Sequence, residues 1–276
     1  DKKGDCGDLY TVNEVPHGNV SKVWYDSPTL KMQRRMTVYT PAGYDKGKDY
    51  PVLYLLHGAG GDEDAWTTLG RAQHILDNLI ATGKAKPMVV VMTNGNPNCQ
   101  AAPGEWSAGQ YIPSFYGYQG AKPAATMDES FPDVMNYVEN HYKVAKDKAH
   151  RAICGLSMGG GHSFDISRRF PNKFDYIGLF SAGLHVGKTG DFLSDFYKML
   201  QEDEEAKQQL ATLFKNKPKL YWIGMGKTDF LYKSTAGLRR YFDEKGYKYT
   251  YMETEGGNIW RTWRVYLTEF AQKIFK

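Results

Sequence analysis

The chain has 276 residues, of which 41% are hydrophobic and 24% charged, with a formal net charge of +4. These are ordinary values for a globular protein long enough to bury a sizeable core. The small charge and the isolated pairs Arg168-Arg169 and Arg239-Arg240 form no basic stripe, which argues against nucleic acid as a partner. The longest unbroken apolar run, residues 88–92, is far too short to cross a bilayer, so no membrane span is expected.

The opening Asp1-Lys2-Lys3-Gly4-Asp5 has no apolar stretch behind it and reads as a mature or trimmed end rather than a signal peptide. Alternation over residues 20–25 and 33–39 predicts two strands that pair as an antiparallel edge within residues 1–40. From Tyr50 onward the pattern changes to short apolar runs separated by helical periods. Residues 52–56, 88–92, 152–154, 176–180 and 220–223 read as buried strands, with 248–252 as a later one. Helical faces fall between them: Ile75, Leu76, Leu79 and Ile80, then Phe131, Val134, Met135 and Val138. Trp260, Trp263, Leu267, Phe270 and Ile274 mark a helix near the end. Strands alternating with helices predict an α/β fold: one domain over 1–276 with a mostly parallel central sheet and helices on both faces. Residues 94–127, rich in Gly, Pro and aromatics and without a clear period, are expected to be a substrate-facing loop leaving the carboxyl end of the sheet.

The three cysteines, Cys6, Cys99 and Cys154, lack metal-ligand spacing, and no metal is expected. Cys154 sits in an apolar strand and reads as a small buried hydrophobe; a Cys6–Cys99 disulfide stays open.

The strongest motif is Gly155-Leu156-Ser157-Met158-Gly159-Gly160, entered by a strand and left by a helical stretch over residues 158–169. That context is what a nucleophile elbow requires, with Ser157 as nucleophile and the Met158 N–H aimed at an oxyanion. His57-Gly58-Ala59-Gly60-Gly61 follows another strand and matches the loop that supplies a second oxyanion donor, here Ala59, with His57 as a structural residue. A phosphate cradle is excluded at Gly226-Lys227-Thr228 and Gly187-Lys188-Thr189. A P-loop needs its first glycine where Tyr221 and Ala182 stand. Asp229, beyond a late strand, is the candidate triad acid, the alternative being a helix N-cap.

Together these segments resemble the family 1 carbohydrate esterases of the feruloyl and acetyl-xylan esterase type, within the esterase D-like α/β-hydrolases. The matching stretches are 35–44, 50–61, 75–87, 150–164, 226–229 and 255–264. The resemblance implies an α/β-hydrolase fold, Ser157 as nucleophile, Asp229 as orienting acid, and Met158 and Ala59 as oxyanion donors. It further implies xylan carrying feruloyl or acetyl esters as the substrate, no cofactor, and a secreted, periplasmic or cell-surface location. Trp106, Tyr116 and Trp260 are the expected substrate-binding aromatics, within a cluster that includes Tyr111, Phe115 and Tyr118.

One position departs from the pattern. Such esterases carry Glu-Gly-Gly-His after the final strand, whereas this chain reads Glu255-Gly256-Gly257-Asn258, placing Asn258 where the histidine is expected. All seven histidines precede Asp229, and of these only His185 lies near enough to a strand end to be considered as a substitute base. A carboxamide does not titrate usefully, so the chain is expected to be an impaired esterase. The alternative is a catalytically silent carbohydrate-binding or scaffold module derived from one.

Overall fold

The computed structural model describes residues 10–103, 123–187 and 193–276. Among the described residues, eight strands form one sheet in the order β1-β2-β4-β3-β5-β6-β7-β8. They are β1 (Asn19–Ser27), β2 (Met32–Thr40), β3 (Val52–Leu56), β4 (Val89–Thr93), β5 (Arg151–Leu156), β6 (Tyr176–Phe180), β7 (Leu220–Gly226) and β8 (Thr250–Thr254). The first two pair antiparallel, β2 meets β4 antiparallel, and β3 through β8 run parallel. This is the expected arrangement, a mostly parallel sheet with an antiparallel N-terminal edge.

The helices are α1 (Ala65–Thr68), α2 (Ala72–Ala81), α3 (Met127–His141), α4 (Met158–Arg169), α5 (Phe196–Gln201), α6 (Glu204–Lys215), α7 (Tyr232–Lys245) and α8 (Trp260–Ala271). Alternate residues of each central strand feed opposite faces, as a two-residue side-chain period requires. In β3, Val52, Tyr54 and Leu56 join one core with Phe131, Phe164 and Leu210, while Leu53 and Leu55 join the other with Ile75, Trp222 and Phe270. Burial on both faces explains why these strands read as continuous apolar runs. Cys154, fully buried in β5, belongs to the second core as a small hydrophobe. Cys99 is buried, and Cys6 lies outside the described residues.

The chain passes from β3 outward to β4, then returns across β3 to β5. The strand order therefore reverses between β3 and β5. In an open parallel sheet, the carboxyl ends flanking such a reversal form a crevice that binds ligands. The loop after β3 and the turn after β5 are the two glycine-rich motifs.

No helix among the described residues is long and apolar enough to cross a membrane.

Candidate active site

Ser157 sits between β5 and α4 with φ 50° and ψ −110°. A side-chain-bearing residue at positive φ is strained and persists only where its surroundings over-determine it. Here its N–H donates to Phe180 O at 2.8 Å, and its carbonyl accepts from Gly161 N and Gly183 N, each at 3.1 Å. The motif glycines are required by close approach. A Cβ on Gly155 would lie 2.4 Å from Gly159 O, and one on Gly159 would lie 2.5 Å from His57 O. Met158 opens α4, so its N–H has no carbonyl a turn earlier in the helix and faces the end where the helix dipole favours negative charge.

The 57–61 loop lies against this turn: a Cβ on Gly58 would stand 3.5 Å from Ser157 Cβ. His57 is buried and spent on holding the loop. Its Nδ1 donates to Gly58 O at 2.7 Å, and its Nε2 accepts from Gly95 N at 2.8 Å. A carbonyl only accepts and an amide N–H only donates, so the ring is the neutral Nδ1–H tautomer. Burial pushes its pKa down from 6.5 to about 4. Because the folded value lies below the unfolded one, the unfolded chain takes up this proton first as pH falls. The contribution is complete above pH 6.5 and is lost as pH drops toward 4, on the order of 3 kcal/mol in all. Thermal melts of a His57→Gln variant are therefore expected to fall less steeply across that window than those of the unsubstituted chain. Equal slopes would contradict this account of His57.

Asp229, 5% exposed, follows β7. Its Oδ1 accepts from Leu231 N at 2.8 Å, holding the turn into α7, and its Oδ2 accepts from Asn258 Nδ2 at 3.0 Å. One oxygen thus organises the turn ahead of α7, whose N-cap is Leu231 rather than Asp229, and the other faces Asn258. Asn258 Nδ2 also approaches Ser181 O at 3.4 Å. The Gly256–Gly257 approach to Asn258 is pinned by Gly226, where a Cβ would fall 1.6 Å from Gly256 O. Gly226→Ala is expected to push these loops apart, breaking the Asp229–Asn258 bond and lowering the melting temperature by several degrees. A crystal structure of the variant with that bond intact would contradict the expectation.

Ser157, Ala59 and Asn258 line one pocket of about 510 Å³, together with Leu69, Phe230, Trp260 and Trp263. Its rim is apolar: Phe230 is 63% exposed and Leu69 49%. Trp260 meets Trp66 edge-on at 5.1 Å and Trp263 at 5.0 Å. Trp66 is fixed in turn by Nε1–H donating to Leu56 O at 2.9 Å. Trp106, Tyr111, Phe115, Tyr116 and Tyr118 lie outside the described residues. None of the described histidines lines this pocket. His185 is exposed elsewhere, and His162 packs beneath the loops beside Gly95. The rim residues Phe230 and Leu69 escaped the sequence reading because they sit singly beside other features, with no period to mark them.

The family model for the Putative esterase family matches residues 27–274. The chain belongs to this esterase family. Among curated esterases, an endo-1,4-beta-xylanase/feruloyl esterase of Xylanibacter ruminicola is 33% identical over 272 residues, 95% of this chain and 32% of the relative. The chain therefore spans about a third of that relative's length. An acetyl esterase of Caldicellulosiruptor saccharolyticus is 21% identical, with 91% of this chain and 90% of the relative covered. Among solved structures, a CE1 ferulic acid esterase from Anaeromyces mucronatus in complex with ferulic acid superposes with TM-score 0.72 at 22% identity, covering 98% and 95% of the two chains. That likeness establishes the α/β-hydrolase fold for this member of the esterase family.

Proposed function

We propose that the chain is a serine carboxylic-ester hydrolase domain of the feruloyl and acetyl-xylan esterase type whose turnover is impaired at Asn258. The observation that carries this reading is the Asn258 Nδ2–Asp229 Oδ2 hydrogen bond of 3.0 Å on the wall of the pocket that holds Ser157. A triad histidine makes its bond to the orienting acid in the same way.

In this reading Ser157 Oγ attacks the ester carbonyl, and the N–H groups of Met158 and Ala59 receive the developing oxyanion. Asp229 would orient an imidazole; it instead holds a carboxamide, which cannot take the serine proton and return it to the leaving alcohol. Strained Ser157 and the oxyanion loop remain built, so ester binding persists while proton transfer fails.

Pocket size and lining favour an aryl acyl group. A volume of about 510 Å³ bounded by Trp260, Trp263, Phe230 and Leu69 suits a phenylpropenoyl ester far better than acetyl, which would leave most of it unfilled. The alcohol component is xylan, and the protein acts outside the cytoplasm; both statements rest on resemblance. No cofactor takes part in this chemistry.

An Asn258→His variant should release ferulate from methyl ferulate faster than acetate from acetylated xylan. Faster acetate release would overturn the aryl preference. If the alternative reading holds, a silent carbohydrate-binding module, the variant gains no hydrolysis of either ester.

A further inference from the structure

A second groove, of about 370 Å³, opens between the edge strand β1 and helix α3. Four interstrand steps separate β1 from the Ser157 strand β5, roughly 19 Å at 4.7–4.9 Å per step, so this groove is distinct from the ester pocket. Its composition is unlike that pocket's. Trp24 stands 42% exposed on the outer face of β1, a large ring left in water at a sheet edge. On the facing helix, the Tyr137 and His141 rings stack at 3.9 Å with 13° between their planes. His141 Nδ1 donates to Tyr137 O at 2.8 Å, which fixes the imidazole and leaves Nε2 pointing away from the helix backbone.

Planar polar side chains line the same groove. Asp26, Gln33, Asn136 and Asn140 line the groove, are exposed, and make no side-chain hydrogen bond to another described residue. Asp133 is held by Ser27 Oγ at 2.8 Å and Thr29 N at 3.0 Å, so its carboxylate is a fixed part of the floor. No lysine or arginine lines the groove, which disfavours phosphate, sulfate or uronate ligands.

We infer that this groove is an accessory binding site for a neutral polysaccharide chain. The chemistry is specific to that class. A pyranose ring offers an apolar face of axial C–H groups to a tryptophan, and vicinal hydroxyls that each donate and accept, matching carboxylate and carboxamide groups at the ring's edge. Free side-chain carboxamides beside an exposed tryptophan bind such hydroxyls directly, at the cost of displacing ordered water alone. A surface site of this kind retains the domain on the polymer whatever happens at Ser157, and the inference therefore stands whether or not the esterase reading does.

The test is affinity electrophoresis in gels containing soluble neutral arabinoxylan, with the full chain, Trp24→Ala, Asn136→Ala, and Ser157→Ala as the comparison that leaves the groove intact. Trp24 and Asn136 are exposed, so neither substitution threatens the core. We expect the unsubstituted chain and Ser157→Ala to be retarded equally. Trp24→Ala and Asn136→Ala should each weaken retardation, the former by about tenfold in dissociation constant, the loss of one well-placed ring contact. Retardation unchanged in both groove variants would overturn the inference, as would retardation of no protein at all. A Trp24→Ala effect on oligomeric state, with retardation intact, would identify the β1 edge as a contact between copies and would equally overturn it.

Discussion

Asn258→His is expected to raise kcat for an aryl ester by several orders of magnitude, toward the roughly millionfold that loss of the triad base costs a serine hydrolase. The expected size follows from what is already in place. Ser157 is held at φ 50° by three backbone hydrogen bonds, and the glycine packing that shapes the turn is intact. Asp229 offers Oδ2 at the position now occupied by the Asn258 carboxamide. An imidazole there would donate one ring N–H to Asp229 and leave its other nitrogen unprotonated to accept the Ser157 proton. The pH dependence should identify the new group. Histidine acts as base only when neutral, so activity of the variant should rise with pH through the histidine range near 6.5, moved upward by the neighbouring carboxylate. The unsubstituted chain should show no such rise. A flat profile in an active variant would mean that the gain has another source.

The second large effect concerns the foundation of the site. Glu63 is fully buried and takes Arg35 Nε at 3.0 Å, Asn94 Nδ2 at 3.0 Å and Ala102 N at 2.6 Å. Arg34, 1% exposed, donates to the carbonyls of Asn94, Asn96 and Cys99. These bonds tie β2, the residues just past the 57–61 loop and the 94–102 stretch into one body. Glu63→Ala removes a buried anion and leaves the 6%-exposed Arg35 with the half-open Asp64 as a carboxylate partner. Breaking a buried pair from one side costs about 3–5 kcal/mol, because the surviving charge stays desolvated. In a chain of this size that corresponds to a fall in melting temperature on the order of 10 °C. Calorimetry on Glu63→Ala checks it, and a shift of about 2 °C or less would show that the network is not what holds these segments together.

How far the sequence revealed this arrangement depends on what each feature rests on locally. β3 and β6 match the apolar runs at 52–56 and 176–180 to the residue, because strands buried on both faces carry no polar break. Helix α4 starts at Met158 as expected, since the elbow glycines fix where the strand must stop. Helices α5 and α6 were not anticipated. Their buried positions, Phe196, Leu200, Ala206, Leu210 and Leu213, are spaced by three to six residues, but the acidic run Glu202-Asp203-Glu204-Glu205 interrupts the pattern. In the structure Asp203 accepts from Ala206 N and turns that run into the start of α6. The Asp229–Asn258 bond joins residues on two different loops, and nothing in their separate surroundings reveals it. Resemblance to an esterase motif singles out both residues, which periodicity does not, but the bond itself is visible only in the structure. The groove at Trp24 was invisible for the same reason, because its two walls come from β1 and α3.

In the proposed function, Ser157 sits on a complete elbow yet lacks a base to activate it. The rate of covalent labelling by a fluorophosphonate, followed by intact mass, reads this directly, because the probe reports serine nucleophilicity without depending on which ester is the substrate. The expected outcome is slow labelling of the unsubstituted chain, none of Ser157→Ala, and labelling of Asn258→His faster by at least about a thousandfold. Rapid labelling of the unsubstituted chain at Ser157, unaffected by Asn258→His, would contradict it.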